Sequence, residues 1–99
     1  MSKFTTGLTD AQRERLSILT EEIGEALQIV GKVERHGYES KHPTGKHEGR
    51  TNKELLEYEL GHVFYAIDML IDSSDLNHRD IVHHCTEKQN RENNYIHFQ

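Results

Sequence analysis

Two long stretches of this chain carry apolar residues at helical spacing, and each is opened by a capping box. The first box is Thr9-Asp10-Ala11-Gln12 and the second is Thr51-Asn52-Lys53-Glu54. In both, a hydroxyl residue is followed three positions on by a long side chain that can reach back to the cap's own amide. The first helix is expected to run to about Arg35, with Gly37 as a left-handed C-cap. At about 100° per residue, Leu16, Ile18, Leu19, Ile23, Ala26, Leu27, Ile29, Val30 and Val33 fill one continuous half of its wheel. The second is expected to run to about Asp72, with Leu55, Leu56, Leu60, Val63, Phe64, Ala66, Ile67, Leu70 and Ile71 filling half of its wheel. A weaker third helix, about 78 to 92, is capped by Asn77 and has only Ile81, Val82 and Cys85 as an apolar stripe. No segment alternates with a period of two, and no repeat recurs at solenoid spacing.

The expected fold is therefore all-α: an antiparallel helical bundle of two long helices plus a shorter third helix, with residues 1–99 as a single domain. Oligomerisation is expected to complete it. A chain of 99 residues with 33% hydrophobic and 29% charged side chains has a marginal core of its own. Its one cysteine, Cys85, excludes an internal disulfide and points to a reducing compartment. The short lead with Phe4 is expected to be a frayed or partner-docked arm, and the tail Tyr95-Ile96-His97-Phe98 to dock on a neighbour. With no apolar run long enough to span a bilayer and no signal-peptide pattern, the expected location is cytoplasmic, with no membrane partner. A formal net charge of −5 without a basic stripe argues against duplex nucleic acid. The eight histidines are scattered, which argues against a single histidine-built zinc site.

The informative anomaly is acid inside the apolar faces. Glu22 falls between Ile29 and Val33 on the first wheel, and Glu59 falls between Ala66 and Leu70 on the second. Glu25 and His62 lie at the respective edges, each three residues after the acid. A buried carboxylate without a partner is strongly disfavoured, so Glu22 and Glu59 need a cation, a basic side chain or a proton. Arg15 lies at a similar angle to Glu22, and Lys32 lies two turns beyond Glu25, so both are candidate ion-pair partners. Gly24 and Gly31 share a face with Thr20, which suits either a close helix crossing or tolerated surface glycines. Between the helices, residues 36–50 form a long loop that is either a solvated linker or a binding loop. Its Gly45-Lys46 is not a phosphate-binding Walker motif, because no Ser or Thr follows Lys46 and no strand precedes it.

Helical residues three apart are about 5–6 Å apart at Cβ. Glu22 with Glu25, facing Glu59 with His62 across an antiparallel pair, can therefore grip a divalent cation. Oxygen ligands suit Mg²⁺ or Mn²⁺, and an imidazole shifts the preference toward Mn²⁺.

The pattern Glu21-Glu22-Ile23-Gly24-Glu25, a loop, then Glu59-Leu60-Gly61-His62 resembles the all-α nucleoside triphosphate pyrophosphohydrolases, whose signature is E-E-x-x-E followed by E-x-x-D. The flanks LTEEIGEAL and YELGHVFYAI resemble the MazG-like branch, over about residues 16 to 72. The resemblance implies a dimer or tetramer of helical bundles. It also implies Mg²⁺-dependent hydrolysis of a (deoxy)nucleoside triphosphate to the monophosphate and pyrophosphate. It makes Glu22, Glu25 and Glu59 metal ligands, and Glu21 a further ligand or the residue that orients the attacking water. His62 stands where the family has aspartate. Lys32, Arg35, Lys46, Arg50, Lys88 and Arg91 are candidates, by type and place, to hold the outer phosphates. Two other readings stand beside this one. The first is a catalytically inactive bundle that binds nucleotide or a protein partner. The second is a structural oligomer whose buried acids pair with Arg15 and Lys32.

Overall fold

The computed structural model describes residues 5–92. Phe4 of the lead, and the tail from Tyr95 to Phe98 that is expected to dock on a neighbour, lie outside them. Three helices make up the fold: α1 (Asp10–His36), α2 (Asn52–Asp72) and α3 (His78–Glu92). Both capping boxes close. Thr9 Oγ1 accepts from the Gln12 amide at 3.1 Å while Gln12 Oε1 accepts from the Thr9 amide at 2.9 Å. The Thr51 and Glu54 side chains do the same for α2, at 3.1 Å each way. The Asp80 amide donates to Asn77 Oδ1 at 3.0 Å and starts α3. Gly37 ends α1 at φ 87° and ψ 166°. It is not the left-handed helical cap expected, but a positive-φ extended conformation open essentially to glycine alone.

Contacts at the two ends make the α1–α2 pair antiparallel. Near the start of α1, Arg15 grips Asp75, just beyond α2, with Nε at 2.6 Å and Nη2 at 3.0 Å. At the other end the buried Asn52 side chain, first in α2, donates to the Gly37 carbonyl at 3.1 Å. The core between the helices consists of Ala26 and Ile29 against Leu55, Ala66 and Leu70. Leu55 and Leu70 are fully buried, so truncating either to alanine costs about 2–5 kcal/mol.

This core uses only part of each apolar arc. Leu16, Ile23 and Leu27 on α1 and Leu60 and Phe64 on α2 stay open, with Phe64 69% and Leu27 64% exposed. On both wheels these residues lie about 90–155° past the core direction, and antiparallel pairing puts both edges on the same side of the hairpin. α3 is not a third member of the core: none of its residues is buried. Its Ile81, Val82 and Cys85 instead share a shallow groove with Phe64, Ile67 and Ile71. Three apolar side chains in fifteen positions are too few to drive it further in.

The connection between α1 and α2 is folded, not a loose linker. Lys41 and Thr51 form an antiparallel bridge. The His42 amide donates to the Arg50 carbonyl at 2.8 Å and the Gly49 amide to the His42 carbonyl at 3.0 Å. No helix among the described residues is long and apolar enough to cross a membrane.

Candidate metal centre

Glu22 and Glu25 are presented by α1, one turn apart, and Glu59 and His62 by α2. One ligand atom from each of the four lies within 4.8 Å of the others. His62 Nδ1 is 3.4 Å from Glu22 Oε2 and 3.7 Å from Glu59 Oε2. Glu59 is buried, Glu22 and Glu25 are half-buried, and His62 forms the more open wall. Among the described residues, Glu22 Oε2 and Glu59 Oε2 are each cut off from solvent without a hydrogen-bond donor. An unpartnered buried acceptor costs about 1–3 kcal/mol, more when charged. Two such oxygens converge within one cluster, where a cation would satisfy both.

The electrostatics carry the same message. Burial pushes the Glu59 carboxyl above the ordinary carboxylate pKa. Contact with the Glu25 carboxyl and its charge push the same way, Glu22 adds to this, and His62 opposes it. A divalent ion would reverse the imbalance, because it rewards each acid for losing its proton.

The ion-pair alternative fails on geometry. Arg15 is committed to Asp75, not to Glu22. Lys32 Nζ faces His42 Nε2 at 3.4 Å, not Glu25. Neither basic residue discharges the cluster. Glu21 is exposed and is not one of the four converging residues. It is adjacent in sequence but turned to solvent, where it can act on a ligand only from outside the four-residue group.

The six basic candidates separate. Lys32 and Arg35 line a cavity at the C-terminal end of α1. The Arg50 guanidinium lies 5.5 Å from the centre of the Tyr58 ring. Lys46 is exposed on the loop beside His47. Lys88 and Arg91 sit on the exposed α3, where Lys88 pairs with Glu92 at 3.2 Å.

Three residues that sequence reasoning did not single out join the loop to the cluster. The Tyr58 ring meets His62 edge-on at 4.2 Å between centroids, His47 meets Tyr58 at 5.8 Å, and His42 meets His47 at 6.3 Å. Tyr58 and His62 are four apart on one helix, so their contact was available from spacing alone. His42 and His47 arrive through the fold of the loop, which leaves no periodic trace. The glycine stripe is also open in the single chain. A Cβ on Gly24 would meet nothing within 4 Å, and one on Gly31 would meet only the Arg35 guanidinium, at 3.2 Å.

No protein-family model, curated protein or solved structure matches this chain.

Proposed function

We propose that the chain is a divalent-metal-dependent nucleotide pyrophosphohydrolase, converting a (deoxy)nucleoside triphosphate to its monophosphate and pyrophosphate. The observation that carries this reading is the convergence of Glu22, Glu25, Glu59 and His62, with two carboxyl oxygens buried and unpartnered. The donor set fits the group: three carboxylates suit Mg²⁺ or Mn²⁺, and the imidazole favours Mn²⁺. When bound, the ion would offset charge on the phosphate oxygens and make a coordinated water more acidic. The residues of the chain do the rest. Glu22 and Glu59, each with one oxygen cut off from solvent, hold those oxygens in a low-dielectric setting. Glu25 sits at the rim, and His62 leaves the open side through which a phosphate chain approaches. Glu21, exposed and one residue away, is placed to orient water arriving from solvent.

The sequence resemblance to MazG-like enzymes, carried by the same acidic residues and their flanks, fits this reading. An oligomer also belongs to it. The open stripe of Leu16, Ile23, Leu27, Leu60 and Phe64 suits burial against a second copy, in a homodimer or homotetramer. The free, exposed thiol of Cys85 fits the cytoplasm.

The test is pyrophosphate release over a panel of normal and modified nucleoside triphosphates, with Mg²⁺ and with Mn²⁺. Turnover that disappears with chelator is expected; no turnover with any substrate removes the enzyme reading. A second reading has its own observation. His62 Nδ1 lies within ion-pair distance of both Glu22 and Glu59. A protonated imidazole there would stand in for the cation and leave a silent bundle that binds nucleotide or a protein partner. Nucleotide binding by calorimetry without hydrolysis would select it.

A further inference from the structure

A cavity of about 360 Å³ opens where the end of α1 meets the folded loop. Its chemistry is unlike the rest of this acidic chain. Lys32, Arg35, His36, Ser40, Lys41 and His42 line it, and no carboxylate does. Among the described residues, no ion pair involves Lys32, Arg35 or Lys41. Arg35 and His36 sit in the last turn of α1, where basic side chains offset the partial negative charge of the helix end in any protein. That explanation does not reach Lys32, a turn earlier, or Lys41, on the loop.

Lys32 is also held in place. His42 Nδ1 is 2.8 Å from the Thr44 carbonyl, and His42 Nε2 is 3.4 Å from Lys32 Nζ. The tautomer with its proton on Nδ1 satisfies both, donating to the carbonyl and accepting from the ammonium. His42 therefore orients the Lys32 charge at the cavity wall without cancelling it. The wall behind is tied down by the Asn52 amide donating to the Ser40 carbonyl at 2.9 Å and the Asn52 side chain donating to the Gly37 carbonyl at 3.1 Å. The positive field extends to His47. Burial chiefly depresses its pKa, and Lys46, Arg50, His42 and Lys32 add to the depression.

Three cations that form no ion pair among the described residues call for a ligand carrying several negative charges. The volume falls within the range of about 300–1,000 Å³ typical of small-molecule sites. A guanidinium fork, two ammonium groups and a serine hydroxyl match the oxygens of linked phosphates. We propose that this cavity binds a condensed phosphate, either free pyrophosphate or the phosphate chain of a nucleotide, through Lys32, Arg35 and Lys41. The site is separate from the carboxylate cluster. Lys32 follows Glu25 by seven residues, about 10 Å along the helix axis. The proposal therefore stands whether or not the cluster hydrolyses anything.

The experiment is calorimetric titration of the full chain with sodium pyrophosphate in chelator, so that no divalent ion takes part. Pyrophosphate should bind, more weakly as salt rises. Lys32→Ala with Lys41→Ala should weaken it about tenfold or more, because each lost charge-assisted hydrogen bond is substantial. Lys32→Arg should retain binding, and Arg79→Ala, on the exposed α3, should change nothing. No binding, or equal binding by the double variant, overturns the proposal. So does orthophosphate or sulfate binding as tightly as pyrophosphate. Displacement by a nucleoside triphosphate but not by its monophosphate assigns the seat to a nucleotide's phosphate chain. Pyrophosphate that no nucleotide displaces assigns it to the free ion.

Discussion

Glu59→Gln should make the metal-free protein more stable and at the same time abolish its stabilisation by metal. The Glu59 carboxyl is buried, one of its oxygens has no donor, and its pKa is raised by burial and by the acids around it. An amide of the same shape has no charge to desolvate and offers donors to Glu22 and Glu25. Relief of one unsatisfied buried acceptor is about 1–3 kcal/mol. In a chain of this length that is roughly 5–20 °C in Tm. Against this, Mn²⁺ at about a hundred times its Kd stabilises the native chain by about 2.7 kcal/mol, or roughly 10–20 °C. The pH dependence has a definite sign. Glu59 holds its proton more tightly folded than unfolded, so its favourable contribution is complete below the ordinary carboxylate pKa. That contribution is lost as pH rises through the elevated folded value. The advantage of Glu59→Gln in chelator should therefore be large near neutral pH and should vanish near about pH 4. The assay is thermal unfolding by circular dichroism, in chelator and in excess Mn²⁺, for both chains. A Glu59→Gln variant less stable than the parent in chelator, or one that keeps the full Mn²⁺ increment, would refute the reasoning.

Glu22→Ala and Glu25→Ala should each abolish metal-supported pyrophosphate release, while Glu21→Ala should leave Mn²⁺ affinity intact; a calorimetric and kinetic comparison checks both. His62→Asp should raise Mg²⁺-supported turnover, since it replaces a neutral ligand with a charged one; a fall would show that the imidazole is required. Gly24→Ala should stabilise the chain by about 0.5–1 kcal/mol, because nothing crowds the new methyl. A concentration-dependent loss of stability, followed by sedimentation, would instead reveal a close helix crossing between subunits. The Asp75 carboxyl is held below its ordinary pKa, first by its hydrogen bond to Arg15. Its contribution is present above the ordinary carboxylate range and disappears as pH falls through the depressed value. Asp75→Asn should therefore lower Tm at neutral pH and flatten the acid limb of the Tm–pH curve.

The helices and the acid pairs were readable in the sequence for local reasons. Capping boxes act over three residues, and apolar periodicity reports which way a side chain points. Glu22 and Glu59 stood out because each interrupts such a pattern, and the antiparallel pair brings them together. What periodicity could not supply was partner choice across the chain. Arg15 shares the angle of Glu22 on the wheel, yet it pairs with Asp75 because the turn after α2 returns to the start of α1. Lys32 turns to His42 because the loop folds back along the end of α1. The loop itself read only as a solvated linker or a binding loop: its structure rests on backbone hydrogen bonds such as His42 to Arg50, to which side-chain identity is nearly blind. The width of the apolar arcs over-predicted burial in one chain, since Leu27 and Phe64 remain open. A wheel records that a face is apolar, not whether the covering surface comes from the same chain.

Diffraction from crystals grown with Mn²⁺, collected near the manganese absorption edge, tests the central claim most directly. The account predicts an anomalous peak among the side-chain oxygens of Glu22, Glu25 and Glu59 and a nitrogen of His62, absent from crystals of Glu59→Gln. Crystals that bind Mn²⁺ elsewhere, or hold none while His62 bridges the acids, would contradict it.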